Sequence, residues 1–155
     1  MKNSKRVLLL IITTPFVLAA FFYLRNSSRS LEDWARIHTE EQLRTKMKDP
    51  DSMQIRSYYF VRRVDAKGET EINMCGIVDG KNSFGAYTGG TPFASQSKTD
   101  RATGTFDTVL VEMEDQDEAK RQALAKIHMP TAFQGLFWDK WCVDAVHPLI
   151  SPAAG

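Results

Sequence analysis

The sequence predicts an α+β protein: an N-terminal transmembrane helix, then one small domain with a three- or four-stranded antiparallel sheet and helices packed on one face. Three observations predict it. Val7 to Leu24, VLLLIITTPFVLAAFFYL, is an uncharged apolar run of 18 residues. Segments rich in β-branched and aromatic residues, separated by turn residues, fill the middle of the chain. Helix-like segments stand before and after them.

At about 1.5 Å per residue the first run would extend roughly 27 Å, close to the hydrocarbon thickness of a bilayer. Lys2, Lys5 and Arg6 precede it and favour a cytoplasmic N-terminus. The run ends in Phe21-Phe22-Tyr23-Leu24, bulky where a signal peptidase requires small residues. A retained signal anchor is therefore expected, with cleavage as a signal peptide and burial as a core helix as the alternatives. On this reading residues 1–24 are a cytoplasmic stub and single-pass anchor in the inner (cytoplasmic) membrane. Residues 25–30 are a polar linker, 31–143 form the periplasmic or otherwise extracytoplasmic domain, and 144–155 make a loosely ordered tail with two prolines.

Within the domain, Leu31–Lys48 lacks Gly and Pro and reads as a helix, capped by Ser30 and ended ahead of Pro50. Its apolar residues do not fall on one clean face. Met53–Val64 reads as a strand, Ala66-Lys67-Gly68 as a turn and Glu71–Val78 as the returning strand of a hairpin. Thr105–Met113 is a further strand, with Val109, Val111 and Met113 on one face and Phe106 and Leu110 on the other. Between these, the Gly/Ser/Thr-rich stretch from Asp79 to Gly104 is expected to hold a fourth strand around Gly85–Ser95. Gln116–Ile127 places Ala119, Ala123 and Ile127 at helical spacing, a stripe that would lie on the sheet. Thr131–Val143 continues with Phe133, Leu136, Phe137 and Trp141 on one side.

Charge narrows the function classes. Three of the 20 basic residues precede the apolar run; from Arg25 onward the remaining 17 face 19 acids, a folded part near −2. Nucleic-acid binders take most of their affinity from a basic patch that neutralises phosphates. None is visible, so no nucleic-acid partner is expected. His38, His128 and His147 are scattered without a second ligand at helical spacing, and the acidic run Glu112–Glu118 lacks the spacing of an EF-hand, so no metal or other cofactor is expected. No nucleophile elbow or paired-carboxylate motif marks a catalytic site.

Cys75 and Cys142 are the two cysteines. In an oxidising compartment an even count favours a disulfide between them, two separate buried thiols being the alternative. There is no C-x-x-C motif, which argues against a redox-active site. The segment Cys75–Gly90, CGIVDGKNSFGAYTGG, has five glycines in 16 positions with Lys81, Asn82 and Tyr87 among them. It has two readings: a ligand or partner surface with Lys81, Asn82 and Tyr87 as contacts, or a structural turn whose Phe84 and Tyr87 pack in the core.

Lys48-Asp49-Pro50-Asp51-Ser52, the Cys75–Gly89 element, and Cys142 close after Trp138 form a pattern KDPDS…CGxVxxKNSFGxYTG…W…C. In this the chain resembles an uncharacterised family of small bacterial cell-envelope proteins. It departs at Asp79, where the family pattern has Asn, and at Gly90, where it has a bulky residue. The resemblance implies an envelope location and no particular activity. The expected function is a membrane-anchored, non-enzymatic protein-interaction or structural module, held to the membrane by Val7–Leu24 and facing an envelope protein. The alternative is a small envelope hydrolase with a scattered constellation near Asn82 and Ser83.

Overall fold

Alternation along the second strand decides the architecture. In the computed structural model, which describes Ala19 and residues 29–149 except Thr88, Arg101, Ile127 and His128, Leu31–Gly155 forms a unit of its own. Helix α1 (Leu31–Lys46) and a single 3-10 turn at Pro50–Ser52 lead into strands β1 (Gln54–Val64), β2 (Thr70–Asp79), β3 (Thr91–Thr99) and β4 (Phe106–Met113). Helix α2 (Gln116–Leu124), a π-helical turn (Gln134–Trp138) and the short α3 (Asp139–Trp141) complete the described chain. The strands form one antiparallel sheet in the order β1-β2-β3-β4.

Residues directly opposite one another in paired strands share a face, and neighbours along a strand take opposite faces. Phe60, Met74, Ser95 and Val111 lie in register across the sheet. With Phe93, Val78 and Met53 they build a core under Leu43 of α1 and Met47 just past its end. One step along, Tyr59, Cys75 and Ala94 lie in register on the other face. They pack against Phe133, Trp138, Trp141 and Cys142. The sheet is therefore covered on both faces, not on one as expected, because β2 is apolar at consecutive positions (Met74, Cys75) and both sides of it need a cover.

Each cover is built differently. Helix α1 buries Ala35, Thr39 and Leu43, one turn apart. The middle residue is a threonine, so no clean apolar stripe exists in the sequence. Its hydroxyl donates to Ser95 Oγ at 2.8 Å, a buried bond that satisfies both groups. The second cover is short, and the Cys75–Cys142 disulfide fastens it, with Cα atoms 5.7 Å apart. Tyr59 Oη donates to the Cys142 carbonyl at 3.0 Å, and the Arg63 guanidinium donates to the carbonyls of Lys140 and Val143. These carbonyls end a helix and would otherwise lack partners. Close packing extends to the backbone at Gly76, where a Cβ would stand 2.2 Å from the Ser57 carbonyl oxygen, so no larger residue fits.

Several expectations are corrected. The transmembrane helix is one: Val7 to Leu24 lies, apart from Ala19, outside the described residues, and among the described residues no helix is long and apolar enough to cross a membrane. The fourth strand begins at Thr91, not near Gly85, since Gly85, Gly89 and Gly90 all have positive φ and break extended backbone. Val109 is 63% exposed instead of sharing a face with Val111. The β3–β4 register shifts between Gln96 and Ser97, which leaves Val109 as the extra, unpaired residue of a bulge. Helix α2 stops at Leu124 and buries no described residue. In the last segment Leu136 is exposed while Phe133 is buried, because π-helical winding rotates the side chains away from the 3.6-residue period assumed for them.

Serine at position 75 or 142, or reduction of the bridge, should lower unfolding stability by about 2–5 kcal/mol in a denaturant titration. The closed loop spans 67 residues. Tryptophan fluorescence should report early release of Trp138 and Trp141, ahead of loss of sheet signal in circular dichroism.

Candidate functional site

The glycine-rich segment forms a projecting extension of the β2–β3 hairpin. Lys81 and Tyr87 pair across it as an antiparallel bridge. Asn82 N–H donates to the Ala86 carbonyl at 2.8 Å, and Gly85 N–H to the Asn82 carbonyl at 2.9 Å. The Asn82 side chain closes the turn: its Oδ1 accepts from Phe84 N–H at 2.9 Å and Ala86 N–H at 3.1 Å. This is the local side-chain-to-backbone bonding that makes Asn a turn residue. The base is tied to the 3-10 turn, with Lys81 N–H donating to Ser52 Oγ at 2.9 Å. At Gly90 a Cβ would stand 2.6 Å from Ile77 Cγ2, at a φ of +95°.

The expected residues separate into two roles. Lys81 and Tyr87 are exposed, with Lys81 Nζ 5.8 Å from the Tyr87 ring centroid. Asn82 is a member of the loop's frame, its carboxamide oxygen engaged by backbone. The residue the sequence reading left out of the contacts is Phe84. It was expected to pack in the core on the structural reading, yet it is 94% exposed at the apex of the turn. No signal in the sequence marks it, because the Asx turn that lifts it clear of the sheet is a feature of the folded loop.

At the root of the hairpin, Asp79 is buried with its carboxylate bonded by Arg56 and by the backbone N–H of Gly80. The acid in place of asparagine is thus matched by a cation. Ser83 is exposed in the turn. The described histidines lie elsewhere: His38 Nδ1 stands 3.3 Å from Asp107 Oδ1, and His147 Nδ1 is within hydrogen-bond distance of Asp144 Oδ1 at 3.0 Å. His128 lies outside the described residues. Among the described residues, no group of three His, Cys, Asp or Glu side chains is placed to hold a metal ion.

A second feature lies on the face closed by the disulfide. An open cavity of about 420 Å³ is lined by Tyr59, Trp138, His147, Pro148 and Leu149. His147 stacks on Tyr59 with centroids 3.9 Å apart. Asp144 Oδ1 accepts from the backbone N–H groups of Val146 and His147. Burial pushes the Tyr59 phenol above its usual pKa, and the Asp144 carboxylate adds to this. The His147 backbone N–H holds Asp144 below the usual carboxylate range; burial opposes this, while the Val146 N–H and the His147 ring lower it further. With every group in this cluster engaged by a neighbour, it reads as the fastening of residues 144–149 onto Tyr59.

In comparison with known proteins, no family, no curated protein and no solved structure matches the chain.

Phe84→Ala should leave the melting temperature within about 1 °C of wild type, because an exposed ring contributes within about 0.5 kcal/mol. Asn82→Ala should cost about 1 kcal/mol, as it removes the acceptor that closes the turn. Thermal unfolding of the two variants checks the contrast. The pH dependence has two arms. Tyr59, with a raised folded pKa, contributes stability present below about pH 10 and lost as pH rises through the folded value. Asp144, with a lowered one, contributes stability present above about pH 4 and lost as pH falls through its folded value. Tyr59→Phe should abolish the late step in an ultraviolet titration of phenolate. Asp144→Asn should shrink the acid arm without removing it, since the Glu118 and Asp117 backbone N–H groups hold Asp115 below the usual carboxylate range as well.

Proposed function

We propose that this domain is a non-enzymatic protein-interaction module of an oxidising, extracytoplasmic compartment, and that the 80–90 hairpin is its contact element. The observation that carries the reading is Phe84, 94% exposed on a turn whose backbone is held by Asn82. Isolated exposed apolar residues are ordinary on protein surfaces. What distinguishes this one is its mounting. Leaving a phenylalanine in water forgoes roughly 1.5–3 kcal/mol of burial free energy. Here the ring stands at the apex of a pre-ordered turn, beside Lys81 and Tyr87, so a partner that covers it need not order the loop first. Aromatic residues on rigid supports are frequent anchors of binding energy.

The disulfide supports the choice of compartment, since such bonds persist where thiols are oxidised and are rare where glutathione keeps them reduced. The envelope location implied by the sequence resemblance agrees with that. Nothing comparable favours the hydrolase alternative: Asn82 is engaged by backbone, His147 bonds to Asp144, and His38 lies on α1 beside Asp107 of β4, away from the 80–90 turn.

A photo-crosslinking side chain in place of Phe84, in the full-length protein in its native envelope, should give a discrete adduct. The same group in place of Val109, another exposed apolar position, should not. Lys81→Ala and Tyr87→Ala should each weaken adduct formation without lowering the melting temperature. Equal labelling from positions 84 and 109 would overturn the reading.

A further inference from the structure

The edge strands of an open sheet each present a row of backbone N–H and C=O groups to solvent, and proteins commonly guard them. Here the edges are β4 and β1, and they are treated unequally. Three residues of α1 at successive turns reach β4. His38 Nδ1 lies 3.3 Å from Asp107 Oδ1, Gln42 Nε2 donates to the Thr108 carbonyl at 2.9 Å, and Lys46 Nζ lies 3.8 Å from Glu112 Oε2. Gln42 thereby occupies a main-chain acceptor of β4. The bulge at Val109 interrupts the same edge. β4 is closed to strand addition.

β1 is guarded less: Glu32 of α1 reaches the Arg62 side chain and a bulge lies between Ile55 and Ser57, but among the described residues no side chain bonds the main chain of β1. From Ser57 to Val64 its pairing with β2 runs without a bulge. That length corresponds to about 26 Å of regular edge. Among the described residues, its main-chain groups are engaged only in the β2 ladder. Its side chains have a definite order, Arg56-Ser57-Tyr58-Tyr59-Phe60-Val61-Arg62-Arg63: an aromatic and aliphatic middle between cations, with no acid. Arg56 pairs with Asp79 and Arg62 with Glu32, yet each keeps half or more of its side-chain surface in water and can take a second carboxylate. Arg63 bonds to the carbonyls of Lys140 and Val143, which are neutral. Tyr58 is 45% exposed and meets Phe60 edge-on.

We infer that β1 is an open edge that accepts an extended segment of a partner protein by strand addition, a segment acidic at its ends and β-branched in its middle. Main-chain bonds supply the affinity in this mode of recognition, and alternate side chains supply the selectivity. A second copy of this chain fits less well, since two β1 strands would bring six arginines to one seam with no acid between them. The surface is distinct from the 80–90 hairpin, and the inference stands whether or not that hairpin binds a partner.

The test is hydrogen exchange followed by mass spectrometry on the full-length chain, with the peptide acetyl-Glu-Glu-Val-Thr-Val-Thr-Glu-Glu-amide as probe. Exchange in residues 54–64 should slow saturably. The same peptide with Lys in place of Glu should bind about tenfold more weakly or worse. A version N-methylated at alternate residues, which cannot complete the ladder, should give no slowing. Tyr58→Glu, at an exposed position, should keep the melting temperature and weaken the acidic peptide by about fivefold. Absence of slowing in 54–64, slowing confined to 80–90, or equal slowing by the N-methylated peptide would overturn the inference. Slowing of 54–64 that grows with protein concentration and needs no peptide would assign the edge to a second copy, and overturn it equally.

Discussion

The covalent bond between Cys75 and Cys142 is the constraint on which the rest of this domain depends. β2 is buried on both sides, so the sheet needs two covers, and the two are unequal. Helix α1 spans 16 residues and lays a stripe of three buried residues on its face. The opposite cover consists of a five-residue π-helical turn and three further helical residues. A helical piece that short has no stability of its own in water, because nucleation outweighs the few bonds it forms. The disulfide fastens it to the central strand, while Tyr59 and Arg63 bond the carbonyls at its end. With the cover in place, Tyr59, Ala94 and Phe133 share one buried cluster.

This division bears on function. The parts that hold the domain together are remote from the part that projects. The 80–90 hairpin takes its shape from its own turn bonds and from Ser52, and its exposed tip contributes little to the core. A surface whose residues carry no packing duty is free to be shaped by a partner. The two sheet edges show a related asymmetry. Helix α1 closes β4 with the side chains of one stripe, His38, Gln42 and Lys46, while Ala35, Thr39 and Leu43 of the same helix pack on the sheet. One helix thus covers a face and guards an edge at once, while on β1 the same helix reaches only the Arg62 side chain, through Glu32.

Much of the local structure is legible in the sequence. β-Branched and aromatic runs mark β1, β2 and β4, Pro50 marks the end of α1, and two cysteines in regular elements mark the bridge. The misses share a cause. Thr39 breaks the stripe of α1 in the sequence because its burial depends on Ser95, 56 residues away. Val109 leaves its expected face because a bulge shifts every later residue by one, and a bulge is a property of the pairing of two strands. The π-helical turn alters the period by which Leu136 was placed. In the candidate site Lys81 and Tyr87 are exposed as the contact reading has them, but Asn82, expected as a contact, frames the turn. The exposure of Phe84 was not legible, since an aromatic side chain in a glycine-rich segment is compatible with either burial or exposure.

What the sequence by itself determined, then, is what depends on neighbours along the chain: the α+β class of the domain, the turn at Ala66-Lys67-Gly68, the helix end before Pro50 and the acidic first turns of the helices. What only the tertiary structure decided is what depends on which strand lies beside which. Consecutive apolar residues in β2 announce burial on two sides, but nothing along the chain says which segment covers which side. That choice was made by the register that turns Met74 toward α1 and Cys75 toward Cys142. A pleated strand sends successive side chains to opposite faces, so one step of register separates the helix-covered core from the disulfide-fastened one.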